Sequence, residues 1–569
     1  MSQGTTEKKG NLFNQEQIKL IMKSYDDWFN GLSDEDKISE GKYFTHSGIP
    51  TKLLYTPADV KDIDYMKDLG FSGQPPYVRG VYPNMYRGRM FTVRQLAGLG
   101  APEDCNLRIK YLLDHGATGV NILFDLPTIR GYNSDDPEAE GNVGHCGAAV
   151  DSIRDMDAFF KDIDLGKVST SIVTHLPSTS VVIPGMYFAL AEQRGTSLMN
   201  VAGTCQNDFI METCVGSAPE ILLPSASFRL QCDVVEWICK NVPHWNPISY
   251  NGYNLREAGT DAVAEVGIAI SNAIATAEEL IRRGMDIDDF APRMSFFWDL
   301  HNDFFEEIAK CRASRKVWYK IMKERFGAKN PRSLLMRYHV QTAGVTLPAT
   351  EPYNNIARSA IQGLAAVLGG GQSLHIDSYD EAYSAPTEEA ALISLRSQQI
   401  IQVETGVVNT VDPLAGSYYV EHLTERMGER IMDYIKKIED MGGLVAAVES
   451  GWLHREISGY NMKHQKAIET GEHKIVGVNY MKAEEGETTP IEVYRYPETY
   501  TRQKAKLDLL RKERSDQKVK ECLNVLRDKC HSDENLYPYT LDAVKNLVTL
   551  GEIEEVFREE FGLWSFPLI

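Results

Sequence analysis

From about residue 78 to about residue 420 the chain repeats one phrase roughly every 40 residues. A short run rich in β-branched residues is followed by a longer run with the period of a helix. The strand-like runs fall at 78–81, 118–124, 168–174, 199–204, 248–252, 294–298, 335–341 and 372–376. The helix-like runs between them fall at 103–115, 152–163, 183–195, 225–241, 261–284, 302–325 and 353–368. Asp or Ser opens many of the helices, and glycines such as Gly116 and Gly284 close them. Strands alternating with helices imply parallel pairing, because each crossover helix must return the chain to the same edge. Eight such units predict an α/β fold of the (β/α)8 TIM-barrel type over 78–420. A doubly wound open sheet is the rival. Polar residues near the strand ends favour the barrel: Tyr82, Asp125, His175, Gln206, Asn254, His339, Gln341 and Asp377. In a barrel those ends converge on one mouth.

The flanks read differently. Residues 1–77 are expected to be an N-terminal arm, with one helix near 14–30 and an irregular Pro-, Gly- and Tyr-rich stretch suited to wrapping a partner. Residues 421–569 are expected to form a helical C-terminal extension, whose basic run KAKLDLLRKERSDQK (504–518) reads as a solvated helix face.

Charge narrows the function. A net charge of −20 repels nucleic-acid phosphates, so no nucleic-acid partner is expected. No apolar run is long enough for a bilayer, and no apolar segment follows the N-terminal lysines, so neither a membrane nor a secretory signal is expected. The nine cysteines form no zinc-spaced pairs, and their number is odd, which suits reduced thiols in the cytoplasm. Walker A, HExxH and GxSxG motifs are absent. Gly369–Gly371 follows a helix and precedes a strand, so it reads as a helix stop. His301 and His339 lack metal-ligand spacing, and no protein-held metal is expected. Residue chemistry alone therefore leads to a barrel enzyme with a polar mouth.

Ordered motifs lead further. They are YPNMYRGR (82–89) with FTVRQ (91–95), FDLPTIRGYNSDDP (124–137), AGTCQND (202–208), WNPISYNGYNLREAG (245–259), APRMSFFW (291–298), RYHVQTAG (337–344), GGQSLHIDSYDEAYSAPTEEAA (370–391) and VDPLAGSYYVE (411–421). Together they resemble the methylmalonyl-CoA mutase family. The resemblance implies an isomerase that rearranges the carbon skeleton of an acyl-CoA by radical chemistry. In this family the pantetheine arm threads the barrel, and adenosylcobalamin lies across its mouth. The cobalamin domain of the family carries DxHxxG; the nearest fragment here, Asp299-Leu-His301, lacks the glycine. Adenosylcobalamin is therefore expected to be bound mainly by a small cobalamin-binding partner subunit, as in the isobutyryl-CoA and 2-hydroxyisobutyryl-CoA type. The assembly would be a heterodimer or a dimer of heterodimers.

Matched to the family's motifs, Tyr82, Met85, Arg89, Thr92 and Arg94 fall on the acyl-CoA channel, with the arginines suited to phosphate or pantetheine. Thr204, Gln206, His244, Arg293, Ser295, His339, Gln341 and Gln372 fall on channel or substrate contacts. Asp377 and Glu381 fall on positions that bond the adenosyl ribose. Gln206, Asn254, Leu96 and Leu123 mark the reacting end.

Four departures bear on substrate. The Arg that grips the methylmalonyl carboxylate has no counterpart in Thr213–Ser217, and an unpaired buried carboxylate is strongly disfavoured. Leu96 replaces a Tyr that presses on substrate, and Leu123 stands where the hydroxyacyl mutases have an Asp. Asn254 replaces a His that donates to the thioester carbonyl; Asn donates but cannot act as an acid. A branched apolar acyl group is expected. The alternatives are a bulky carboxylate-bearing malonyl- or succinyl-CoA, and an inactive paralogue that binds the cobalamin protein.

Overall fold

A computed structural model describes residues 13–37, 41–211, 220–482 and 496–565. Its centre is one parallel sheet of nine segments. Numbered around the barrel, these are β1 Thr92–Ala97, β2 Gly119–Leu123, β3 Thr170–Val173, β4 Ala202–Cys205, β5 in two pieces (His244–Asn246 and Ile248–Asn251), β6 Met294–Leu300, β7 Tyr338–Thr342 and β8 Ser373–His375. Pro247 splits β5, because proline cannot donate to a ladder. The first piece pairs with β4 and the second with β6. The backbone N–H of Ser249 donates to the carbonyl of Gln206 at 3.0 Å, so the seam closes and eight strands make a barrel.

The predicted strand at 78–81 does not form, and the first barrel strand begins at Thr92. The Arg315 guanidinium donates to the carbonyls of Tyr77 and Val78, at 2.9 and 2.6 Å. Gly80 is in a positive-φ turn with Pro83 three residues on, and neither suits a ladder. The segment becomes a strap across the N-terminal end of the barrel.

The crossover helices lie close to the predicted runs, including Pro102–Asp114, Pro224–Asn241, Ala262–Arg282, Phe304–Glu324 and Asn354–Gly369. The core lies between strands and helices, where Trp245, Trp298, Trp318 and Phe124 are fully buried. Phe304–Glu324 and Ala262–Arg282 both pack on Tyr418–Glu439, the first helix of the C-terminal region. Buried Arg312 ties this arrangement together by pairing with Asp412 and Glu421.

The basic run is solvated along one edge, where Lys504, Lys512 and Lys518 are exposed, but its other edge is paired. Lys506 pairs with Glu103 at 2.7 Å and Arg511 with Asp135 at 2.5 Å; preceding Arg502 adds Asp104 at 2.8 Å. Part of the chain's acidic excess lies on the barrel helices and loops and attracts this cationic helix. No described helix is long and apolar enough to cross a membrane.

Candidate functional site

Strand residues alternate inward and outward, so one parity of each barrel strand lines the lumen. The strands leave a cavity of about 230 Å³ that runs from the strap before β1 up the barrel axis. Tyr82, Met85 and Arg89 of the strap line it, as do Thr92 and Arg94 of β1. Thr204, Gln206, Ser295, His339 and Gln372 complete the predicted set that the structure brings together there.

The N-terminal end of this channel is cationic. Arg94 is nearly buried, donating to the Val120 carbonyl at 3.0 Å and to the Ser169 hydroxyl at 3.0 Å. Among the described residues no acid pairs with it, and burial pushes its pKa down to about 10. Arg337 also lines the cavity and, among the described residues, bonds only the Pro292 carbonyl. Arg293 donates to the carbonyls of Trp245, at 2.9 Å, and Val242, beside exposed His244 at the start of β5. Neither Arg293 nor His244 lines the channel itself. Unneutralised guanidinium groups at one end suit an anionic ligand terminus such as phosphate.

The middle is neutral and short of partners. The Asn121 amide oxygen, the Gln206 amide oxygen and His339 Nε2 are buried, line the cavity and have no hydrogen-bond partner among the described residues. Burial holds His339 neutral, its pKa far below the usual range. Gln372 is occupied, accepting from Tyr338 N–H at 2.9 Å and donating to the Gly370 carbonyl at 2.6 Å.

The C-terminal mouth has two unlike halves. By strand parity Leu96 follows Arg94 inward on β1 and Leu123 follows Asn121 on β2, making the β1–β2 side apolar. The β6–β8 side is acidic. Gln341 donates to the Tyr253 hydroxyl and to Asp377 Oδ1, each at 2.9 Å. Asp377 also accepts from the Thr342 hydroxyl at 3.2 Å. Burial raises the Asp377 pKa to about 8, and these hydrogen bonds limit the rise. His375 lies 3.0 Å from Asp377, but burial pushes it down to about 4. Burial therefore works against charge on both members of the pair. Burial, then Asp377, hold Glu381 far above the carboxylate range.

Asn254 sits in the short helix Tyr253–Glu257 at the β5 end of the mouth, its backbone N–H donating to Asn251 Oδ1 at 2.8 Å. Asp125 is a helix cap: its carboxylate accepts from Thr128 N–H at 3.0 Å and Gly144 N–H at 2.6 Å. Thr213–Ser217, the stretch without the carboxylate-binding Arg, lies outside the described residues.

Sequence reasoning missed Arg337, Asn121, Tyr253, Glu257 and Asp299. Arg337 opens the RYHVQTAG motif, and Asn121 is one alternation step from Leu123, so both had a signal. Tyr253 and Glu257 lie within the motif at 245–259 and Asp299 directly follows the motif at 291–298, so all three had a signal, but one helix and one strand bring them to the same mouth only in the fold.

The chain matches the family model described as "Methylmalonyl-CoA mutase" over residues 44–563. It is 40% identical over 527 residues to the 2-hydroxyisobutanoyl-CoA mutase large subunit of Aquincola tertiaricarbonis, covering 92% of each chain. It is 39% identical over 550 residues to methylmalonyl-CoA mutase of Rhizobium meliloti (strain 1021), covering 95% of this chain and 76% of that one. To methylmalonyl-CoA mutase of Escherichia coli (strain K12) it is 38% identical over 526 residues, covering 92% of this chain and 72% of the relative. With a barrel channel cationic at one end and acidic at the mouth, and a family match over most of its length, the chain belongs to the methylmalonyl-CoA mutase family of acyl-CoA isomerases.

Proposed function

We propose that this chain is the catalytic subunit of an adenosylcobalamin-dependent mutase that rearranges a branched, apolar acyl-CoA. The observation that carries the reading is the divided channel. Arg89, Arg94 and Arg337 line its N-terminal part with no acidic partner among the described residues, as the phosphates of coenzyme A require. The unpartnered Asn121, Gln206 and His339 atoms offer contacts along a pantetheine arm and its thioester. Leu96 and Leu123 give the acyl end an apolar wall.

The acidic half of the mouth fits the nucleoside of an adenosyl group. Asp377 and Glu381 would hold the ribose hydroxyls, and a protonated carboxyl both donates and accepts. When bound, adenosylcobalamin supplies hydrogen-abstracting radical chemistry. The chain's own part is to hold the acyl group at the mouth, exclude water and offer Asn254 as a donor near the thioester. The cobalamin itself would be held mainly by a small partner subunit. The printed name "large subunit" of the Aquincola relative supports such a partner.

The test combines the purified chain with a cobalamin-binding small subunit, adenosylcobalamin and single thioesters: isobutyryl-, pivaloyl-, 2-hydroxyisobutyryl-, methylmalonyl- and aryl-substituted succinyl-CoA. Isomer product is read by mass spectrometry. Turnover of the apolar branched thioesters alone is expected. Turnover of a dicarboxylate would refute the apolar reading, and cofactor binding without turnover of any thioester would favour the inactive paralogue.

A further inference from the structure

Asp299 is an unusual residue for the inside of a barrel. It stands on β6 two positions above Phe297 and four above Ser295, both of which line the channel, so it faces the lumen. It pairs in register with Gln341 of β7, which places it in the mouth. The side chain is fully buried, and no donor reaches either carboxylate oxygen. Its backbone is fixed: its N–H donates to Glu265 at 2.9 Å, and its carbonyl accepts from Lys310.

The group that faces it is another acid. Glu257 ends the helix that begins at Tyr253; its Oε2 accepts from Val345 N–H at 2.8 Å, and its Oε1 has no hydrogen-bond donor. Burial, then Asp377, raise the Glu257 pKa to about 8, while the contact with Asp299 lowers it. Burial, then Glu257 and Glu265, raise Asp299. The nearby cations are engaged behind the pair, Lys310 with Glu265 at 2.7 Å and Arg256 with Glu307 at 3.1 Å. Glu381 and the Tyr253 hydroxyl face the same space. Two buried carboxyls in contact cannot both ionise, so one proton stays between them.

We propose that Glu257 and Asp299 form a proton-sharing acid pair that serves as a hydroxyl-binding subsite on the β6 side of the mouth. Such a pair presents accepting oxygens toward the lumen and binds a donor without needing a cation. The ligand chemistry is a hydroxyl group, from the adenosyl ribose or from a hydroxylated acyl chain. The inference rests on the mouth being where the nucleoside and acyl group meet.

The test measures binding to the intact chain by calorimetry between pH 6 and 9. The probes are 5′-deoxyadenosine, 2-hydroxyisobutyryl-CoA and, as the control lacking the hydroxyl, isobutyryl-CoA. Asp299→Leu should weaken at least one hydroxylated probe about tenfold, the worth of one such hydrogen bond, and leave isobutyryl-CoA unchanged. Asp299→Asn, which keeps an acceptor and donates to Glu257, should stay within about threefold of wild type below pH 8. Wild-type affinity should fall as pH rises past about 8, where the shared proton leaves, and Glu257→Gln should remove that step. A loss confined to 5′-deoxyadenosine assigns the ribose, and one confined to 2-hydroxyisobutyryl-CoA assigns the acyl chain. Unchanged binding in both Asp299→Leu and Glu257→Gln, or equal weakening of all three probes, overturns the proposal. Failure of the wild type to bind isobutyryl-CoA would instead refute the channel itself and the subsite with it.

Discussion

Replacing Arg94 with Met separates the stability of this barrel from its binding. Burial lowers the Arg94 pKa from 12.5 to about 10, so keeping the charge inside the folded chain costs about 3 kcal/mol. Met removes that cost but strands the Val120 carbonyl and the Ser169 hydroxyl, at about 1 kcal/mol each. The free protein should therefore be as stable as wild type or slightly more stable. Binding should move the other way. A charge-assisted bond from a buried guanidinium to an anion contributes about 1.5–3 kcal/mol, which is roughly 10- to 150-fold in affinity. Calorimetric titration with free coenzyme A should show that loss, and pantetheine, which has no phosphate, should bind both proteins alike. Guanidine titrations check the stability arm. Equal affinity of wild type and Arg94→Met for coenzyme A would refute the reasoning, as would a large loss of stability without ligand.

Three further outcomes follow from buried charge. Lys310, fully buried, pairs with Glu265 and Glu307, so Lys310→Met leaves uncompensated carboxylates and should cost roughly 3–5 kcal/mol in chemical denaturation. Asp377 keeps its proton to about pH 8 in the fold but ionises near 3.8 when unfolded, so it costs stability increasingly as pH rises between those values; Asp377→Asn should gain stability at pH 8 and little at pH 4 in thermal melts. Burial, then Arg256 and His464, push His46 down to about 2, so at this position the fold binds fewer protons than the unfolded chain below pH 6.5; His46 alone should contribute a loss of about 2 kcal/mol between pH 7 and 5, and His46→Gln should reduce the slope in urea titrations by that amount.

The C-terminal helices show where reading from sequence stopped. The amphipathic stretch at 421–475 is legible because its period is local, and Tyr418–Glu439, Leu444–Glu449 and Trp452–Glu469 occupy it. The basic run at 504–518 looks solvated in sequence, since its acidic partners Glu103 and Asp135 lie some 400 positions away. The strand expected at 78–81 failed for the same reason: its carbonyls are taken by Arg315, on a helix distant in sequence.

The sequence by itself determined the barrel, its crossover helices and most channel residues, because alternation and helical period are short-range properties and the motifs lie on consecutive strands. It also determined that Leu96 and Leu123 would be apolar and Asp377 and Glu381 acidic. Only the tertiary structure decided that these pairs stand side by side at one mouth, where β8 pairs with β1, and that Pro247 splits the closing strand. Those facts depend on barrel closure, which brings β8 against β1. The electrostatic state of a carboxyl is set by that burial and by its neighbours, and neither is written in its own stretch of chain.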